Sequence, residues 1–195
     1  VIFALILIGI FMVVTPGYSK TSAGSGAIIL RMPFNAKNAS LGNSGAALAG
    51  YVDSIENNPA ALAYIEKAYF SASHINVLSG IRLNSLLYSE PVGKTSTLSV
   101  VAKLLKSDEI DKTEFVDWQN YIQSGSFDVK DAVAGISFAN KSDGPLQIFG
   151  KSILASYGVS VKYLKSEIDV YRATAVACDA GIFFQSAFSP FGYGI

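Results

Sequence analysis

Apolar side chains alternate with small or polar ones in short segments over most of the chain, and this feature constrains the fold more than any other. In residues 157–164, Tyr and Val alternate with Gly, Ser and Lys, and the same two-residue repeat occupies residues 132–140 and 176–185. Because successive side chains of a strand point to opposite faces, the repeat predicts β-strands with one apolar face and one mixed face. Weaker versions of the repeat predict three earlier strands, at residues 67–75, 82–90 and 97–105.

The breaks between the predicted strands come in two sizes. Residues 91–94, 141–145 and 186–190 are short and rich in Gly, Pro and Ser, which is typical of tight turns. Residues 107–131 instead form a long polar segment with seven acidic side chains, and we predict a solvated loop there. Counted along the strands, the tight turns fall at one end of the sheet and the long loop at the other. This asymmetry is typical of an outer-membrane β-barrel.

A soluble β-sandwich shows the same alternation and is the main alternative fold. A sandwich usually places charge on its second face, whereas the second faces here hold mainly Gly, Ala and Ser with isolated Lys or Asp. Only 15% of the residues are charged, although about a quarter are charged in a typical soluble domain. We therefore predict an all-β protein, an antiparallel transmembrane β-barrel. Six strands and the start of a seventh at Phe188 are present, so residues 66–195 form the barrel part.

The chain begins with an almost unbroken apolar run, residues 1–14. A helix needs about 20 apolar residues to span a bilayer, so the run fits the apolar region of a secretory signal peptide better than an anchor. A buried core helix is the alternative. The small residues Gly17 and Ser19 favour cleavage after Ser19. Residues 1–19 are therefore the predicted signal peptide.

A segment of different composition, residues 20–65, separates the apolar run from the first predicted strand. It is rich in Ala, Asn and Gly, and Ser and Asp residues stand where they can cap helices. We predict short helices in this segment, packed closely against another surface.

Four motifs follow one another along the chain: the sequence Asn-Pro-Ala-Ala-Leu at residues 58–62, and the segments 131–139, 158–164 and 173–181. In this order they resemble the FadL-type outer-membrane channels, specifically the PorV/PorQ branch and its spirochaete relatives. The resemblance implies a barrel of about fourteen strands, which is within the range of such barrels. It also implies that residues 20–65 fold into the periplasmic mouth as a hatch.

The ends of the chain depart from this family pattern. The chain stops soon after the seventh predicted strand begins, without the terminal aromatic residue of a final barrel strand, and neither Met nor a basic segment precedes Val1. We expect that the chain is part of a longer protein and is truncated at both ends.

The resemblance implies functions of two classes, and both stay open. In the first, the protein is a passive channel for hydrophobic small molecules across the outer membrane, gated by hatch residues Asn57, Asn58, Pro59 and Ala60. Pro59 suits a kink in a plug because proline fixes one backbone angle and lacks a donor. In the second, it is a PorV-like scaffold whose partner is a secreted or surface-attached protein. A structural outer-membrane protein is a third possibility. The bilayer of the outer membrane is a partner in all three.

Alternation along the strands assigns side chains to the two sides of a barrel wall. Ser160, Lys162 and Asp179 belong to the mixed faces and are the predicted lumen-facing residues. A carboxylate at Asp179 should have a Lys or Arg partner or face water. The same alternation places Val161 and Cys178 on the lipid side.

Catalytic and cofactor chemistry finds little support in the sequence. One Cys and one His exclude a zinc site built on several such ligands, and 15 Lys and Arg residues balance 15 Asp and Glu residues, which leaves no net charge to attract nucleic acid. Gly93, Lys94 and Thr95 lack the first glycine of a phosphate-binding loop and are predicted to form a turn. We therefore expect no enzyme, no cofactor, no metal and no nucleic-acid partner.

Overall fold

A computed structural model of the chain describes residues 27–42, 44–78, 80–117, 120–148, 151–186 and 192–194. It is mostly antiparallel β-structure. The predicted signal peptide, residues 1–19, and the predicted seventh-strand start at Phe188 lie outside the described residues.

Residues 27–65, called the N-terminal segment below, contain only short helices, which confirms the prediction for this region. Asn35 caps the α-helix of this segment, where its side chain accepts a hydrogen bond from the Asn38 backbone N–H at 2.9 Å. None of the helices among the described residues is both long enough and apolar enough to cross a membrane. The elements are the α-helix α1 (Ala36–Ser40) and the 3₁₀ helices η1 (Ile28–Arg31), η2 (Gly45–Ala47), η3 (Val52–Glu56) and η4 (Pro59–Tyr64).

Strands occupy most of the described residues from Tyr69 onwards. Each of the six predicted strands matches one long strand of the structure, which confirms the interpretation of the period-two repeat. The strands are β1 (Tyr69–Leu78), β2 (Ile81–Val92), β3 (Ser96–Ser107), β4 (Ile110–Asp117), β5 (Asn120–Phe127), β6 (Val129–Lys141), β7 (Leu146–Ile148), β8 (Lys151–Ile168), β9 (Tyr171–Ser186) and β10 (Gly192–Gly194).

The long strands form one antiparallel sheet in the order β1-β2-β3-β6-β8-β9-β10, with β7 paired to β8. This sheet curls into a half-barrel. Closure into a complete barrel stays a prediction.

The prediction of a loop over residues 107–131 is wrong. Strands β4 and β5 pair with each other as a hairpin outside the main sheet, and β6 already begins at Val129. The β-branched and aromatic residues of the hairpin favour strands, but its many acidic residues had favoured the prediction of a loop. The prediction that tight turns lie at only one end of the sheet is also wrong. Gly80 and Asp169 lie in tight turns at the other end, which carries the hairpin, and they have positive φ angles of 79° and 57°.

The curled sheet has two faces of different character. We call the face covered by the N-terminal segment the inner face and the opposite one the outer face. Residues paired across neighbouring strands form rows, and successive rows alternate between the faces. One inner row consists of Ser89, Ser99, Ser137, Ser160 and Asp179, and the adjacent outer row consists of Tyr88, Val100, Ile136, Val161 and Cys178.

The core lies between the N-terminal segment and the inner face. Helix η4 contacts β3, β6, β8 and β9 together, which a six-residue helix achieves only because the sheet curls around it. Two apolar clusters fill the interface. The first includes Phe34, Ile55, Leu62, Leu87 and Val101, and the second includes Ile29, Leu83, Leu105, Val133 and Leu164.

Candidate functional site

The predicted hatch residues sit against a notch in the inner face, where two glycines pair across β8 and β9. Gly158 and Gly181 are direct cross-strand partners. A Cβ atom on Gly158 would lie 2.5 Å from the backbone N of Ala60, and one on Gly181 would lie 2.1 Å from Oδ1 of Asn58. Only glycine therefore allows the N-terminal segment to approach the sheet this closely.

Asn58 links helix η4 to the sheet through both ends of its side-chain amide. Its Nδ2 donates to the carbonyl of Ile182 in β9 at 3.0 Å and to the carbonyl of Ala46 at 3.3 Å. Its Oδ1 accepts from the N–H of Ala60 at 3.0 Å, which caps η4. Asn58 is buried, and the position uses an acceptor and a donor on one side chain, as asparagine provides.

The other predicted hatch residues divide into two groups. Pro59 is buried and occupies the first position of η4, where a missing N–H is tolerated. The carbonyl of Ala60 accepts from Oγ of Ser156 in β8 at 2.9 Å. Asn57, by contrast, is half-buried and its Nδ2 lies 3.4 Å from Oδ1 of Asn38 within the N-terminal segment. Pro59 and Ala60 therefore contact the sheet, whereas this bond of Asn57 stays inside the segment.

A buried ion pair, two residues before Asn58 in the chain, also joins the N-terminal segment to the sheet. Glu56 of η3 pairs with Lys103 of β3, and their side chains are only 9% and 2% exposed. Nζ of Lys103 also donates to the carbonyl of Met32 at 2.9 Å. Burial raises the pKa of the Glu56 carboxyl above its usual range, although Lys103 and Lys162 act in the opposite direction.

This ion pair was not predicted from the sequence. The alternation in residues 97–105 does place Lys103 on the same face as Val101, so its inward position carried a signal. No sequence pattern indicated an inward position for Glu56, because its partner depends on where η3 packs on the sheet.

The three predicted lumen-facing residues all lie on the inner face. Ser160 is 2% exposed, and its Oγ lies 2.7 Å from Oγ of Ser137. Nζ of Lys162 lies 2.7 Å from Oδ2 of Asp179, so the carboxylate has the cationic partner that its position requires. Their assignment to a barrel lumen stays a prediction because it depends on closure.

The inner-face charges are neighbours. Lys162 and Lys103 line one small cavity together with Glu56 and apolar residues of η1, η3, β3 and β6. Oε2 of Glu56 has no hydrogen-bond partner among the described residues. The seated N-terminal segment thus covers Lys103 and Lys162 and places the Glu56 carboxylate beside them.

The outer face is apolar and exposed. Val161 and Tyr163 are 47% and 50% exposed, and Ile136 is 60% exposed. Large contiguous apolar patches are rare on soluble monomers and mark surfaces that contact other molecules or membranes. At the hairpin end the apolar side chains give way to polar ones over two rows. The first row is mixed and consists of His74, Asn84, Leu104, Ala132, Lys165 and Thr174, and the second is polar and consists of Asn76, Arg82, Lys106, Lys130, Glu167 and Arg172.

His74, the one histidine of the sequence, and Lys94 of the predicted turn both lie at the surface. His74 is exposed on the outer face, and its Nδ1 lies 2.7 Å from Oδ1 of Asn84. Lys94 lies in the tight turn between β2 and β3. Within the described part of the chain, no three His, Cys, Asp or Glu side chains lie close enough together to hold a metal ion.

Comparison with known proteins adds no assignment. No protein-family model, curated protein or solved structure matches the chain. The resemblance to the FadL-type channels stays a prediction from the sequence motifs. The function is therefore argued from the two faces of the sheet and from the segment on its inner face.

Proposed function

We propose that the chain forms part of the wall of an outer-membrane β-barrel of the FadL/PorV type that passively conducts hydrophobic small molecules, with the N-terminal segment as its plug. The observation that carries the proposal is the exposed apolar character of the outer face. Large apolar side chains are exposed there, whereas the inner face buries serines and Lys103 beside apolar residues. Lipid would cover the outer face, and the plug covers the inner one.

The length of the outward apolar stretch on β6 supports a membrane-spanning strand. On β6 the outward side chains are apolar at Ala134, Ile136 and Phe138 and polar at Lys130 and Asn140. Nine residues, 131–139, separate the two polar positions, and a transmembrane strand needs about 9 to 11. Strand β1 is paired on one side only, so in lipid its free edge requires a further strand.

The way the plug is attached supports a gating role. Among the described residues, no backbone-to-backbone hydrogen bond joins the N-terminal segment to the sheet. Its polar contacts with the sheet run through side chains, including Ser85 Oγ to the carbonyl of Phe34 at 2.6 Å and Tyr64 Oη to the carbonyl of Leu154 at 3.3 Å. The plug can therefore move while the strand ladder stays intact.

Uptake of an apolar dye by cells with the complete protein in their outer membrane tests the channel. Replacing Asn58 and Pro59 together by Ala removes the links of η4 to β9, and we expect faster dye uptake with unchanged outer-membrane fractionation. A matched double variant, Gln123→Ala with Ser126→Ala in the exposed hairpin, should leave uptake unchanged. Recovery of the protein as a soluble periplasmic monomer would end the barrel proposal.

The exposed hairpin favours a second candidate function, a scaffold for a secreted or surface-attached protein. Strands β4 and β5 stand apart from the main sheet, and Tyr121 and Ile122 are 74% and 56% exposed. If the scaffold function is correct, deleting residues 110–127 should release a surface-attached protein from the cells. The plug variant should then leave dye uptake unaffected.

A further inference from the structure

A row of cationic side chains borders the apolar outer face at the end of the sheet that carries the hairpin. Arg82, Lys106 and Lys130 occupy directly paired positions on the neighbouring strands β2, β3 and β6. Neighbouring strands are about 4.8 Å apart, so the three side chains stand next to one another. Like charges directly opposite each other on a sheet are destabilising. The arrangement therefore favours a bound anion.

The acids near this row do not neutralise it completely. Arg82 pairs with Asp108, and Nζ of Lys130 lies 2.8 Å from Oδ2 of Asp128. Both carboxylates belong to the connections between the hairpin and the main sheet, not to the apolar face. Lys106, between the two pairs, forms no ion pair within 4 Å with a described residue, although it acts electrostatically on Asp128, which it shares with Lys130.

The row continues with Glu167 of β8 and Arg172 of β9. Oε1 of Glu167 lies 3.2 Å from Arg172 Nε and 2.8 Å from Nζ of Lys165, which belongs to the adjacent outer row. The four cations of the row face three carboxylates, which leaves a charge of +1 (4 − 3), and Lys165 raises it to +2 (5 − 3) on this edge of a chain that has no net charge. The excess is local and positive.

We propose that this basic row binds the phosphate groups of anionic lipids, whose acyl chains lie on the apolar outer face. The inference rests on the proposed function, because it needs the outer face to be in a bilayer. On β3 and β6 the row directly follows the outward apolar residues Leu104 and Ala132, where headgroups would meet acyl chains in the proposed membrane. Lys and Arg form strong charge-assisted hydrogen bonds with phosphate. A lipid fits better than free phosphate because it also covers the adjoining apolar surface.

Native mass spectrometry of the complete protein in neutral detergent tests the proposal with two lipids of identical acyl chains. Phosphatidylglycerol carries a net negative charge, whereas the choline of phosphatidylcholine neutralises its phosphate. We expect retention of phosphatidylglycerol over phosphatidylcholine. The variant Lys106→Gln with Lys130→Gln should reduce phosphatidylglycerol retention by about tenfold, since it removes two charge-assisted contacts.

The matched control removes two exposed lysines at the opposite end of the sheet, in Lys67→Gln with Lys94→Gln. This control should retain phosphatidylglycerol like the unchanged protein. Equal losses in the two double variants, or equal retention of the two lipids, would overturn the proposal. Displacement of the lipid by an excess of inorganic phosphate would overturn the lipid assignment and leave a simple anion site.

Flotation with liposomes separates failure of this inference from failure of the proposed function. A protein that stays in the aqueous fraction contradicts the membrane proposal, and the lipid site is then overturned with it. A protein that floats with liposomes but shows no lipid preference contradicts only the lipid site.

Discussion

The inner and outer faces of the main sheet are built from alternate residues of the same strands, yet the inner face buries polar as well as apolar side chains, whereas the outer face exposes large apolar ones. On the inner face Ser99 and Ser160 are 1% and 2% exposed, whereas Val161, next to Ser160 in the chain, is 47% exposed. Each face therefore has its own environment. The N-terminal segment covers the inner face, and the proposed membrane would cover the outer one.

The strongest test of the inner face is the variant Lys103→Met. It leaves Glu56 buried without its cation, which should lower the free energy of unfolding by about 3–5 kcal/mol. The matched variant Lys112→Met breaks an ion pair with Asp169 that is about a third exposed, and it should cost at most about 1 kcal/mol. Chemical denaturation of the complete protein in detergent measures both values.

The rescue variant makes this prediction sharper. Adding Glu56→Gln to Lys103→Met removes the uncompensated carboxylate and should restore most of the lost stability. If Lys103→Met and Lys112→Met cost the same, the Glu56 ion pair is not buried as described.

On the outer face, Val161→Arg is the corresponding test. An arginine in the middle of a lipid-facing band should destabilise the inserted protein by about 2–4 kcal/mol, whereas one near its border costs about 0–1 kcal/mol. Thr174→Arg provides the border control, because Thr174 is exposed in the row of Lys165, beyond the apolar side chains. Insertion into vesicles and heat-dependent gel migration measure the difference. Equal insertion of the two variants would exclude lipid from the outer face.

Filling the notch on the inner face should lower the stability by a smaller amount. A Cβ atom on Gly158 would meet the backbone of Pro59 and Ala60, so Gly158→Ala should displace η4 and cost about 1–3 kcal/mol. Gly144→Ala is the control, since its Cβ would meet nothing within 4 Å. Hydrogen exchange of residues 52–64 reports the seating of the segment. Unchanged exchange in Gly158→Ala would contradict the close approach.

The smallest perturbation uses the free cysteine of the outer face. Cys178 is exposed in the structure, but lipid should shield it, so we expect slow reaction with a charged, membrane-impermeant thiol reagent in intact membranes. The control is Thr174→Cys in a Cys178→Ser background, which should react rapidly. Equal rates at the two positions would place the outer face in water.

Local sequence determined the main strands and their two faces. The repeat at residues 157–164 was sufficient to place Ser160 and Val161 on opposite faces, because side-chain alternation is a property of the strand itself. The composition of residues 20–65 likewise predicted short helices, although Asn35 and Asn58, not Ser or Asp residues, provide the caps in α1 and η4. Strands β4 and β5 escaped prediction because an isolated two-stranded hairpin has little burial to impose a pattern.

Only the tertiary structure decided which groups meet. Asn58 bonds to Ile182 across 124 positions of the chain, and neither Glu56 with Lys103 nor Lys162 with Asp179 follows from neighbouring residues. Gly158 opposes Gly181 only because β8 and β9 pair in one register. These contacts depend on strand register and on the curl of the sheet around the N-terminal segment. Both are set by the packing of distant segments, whereas alternation and capping are set within a few residues.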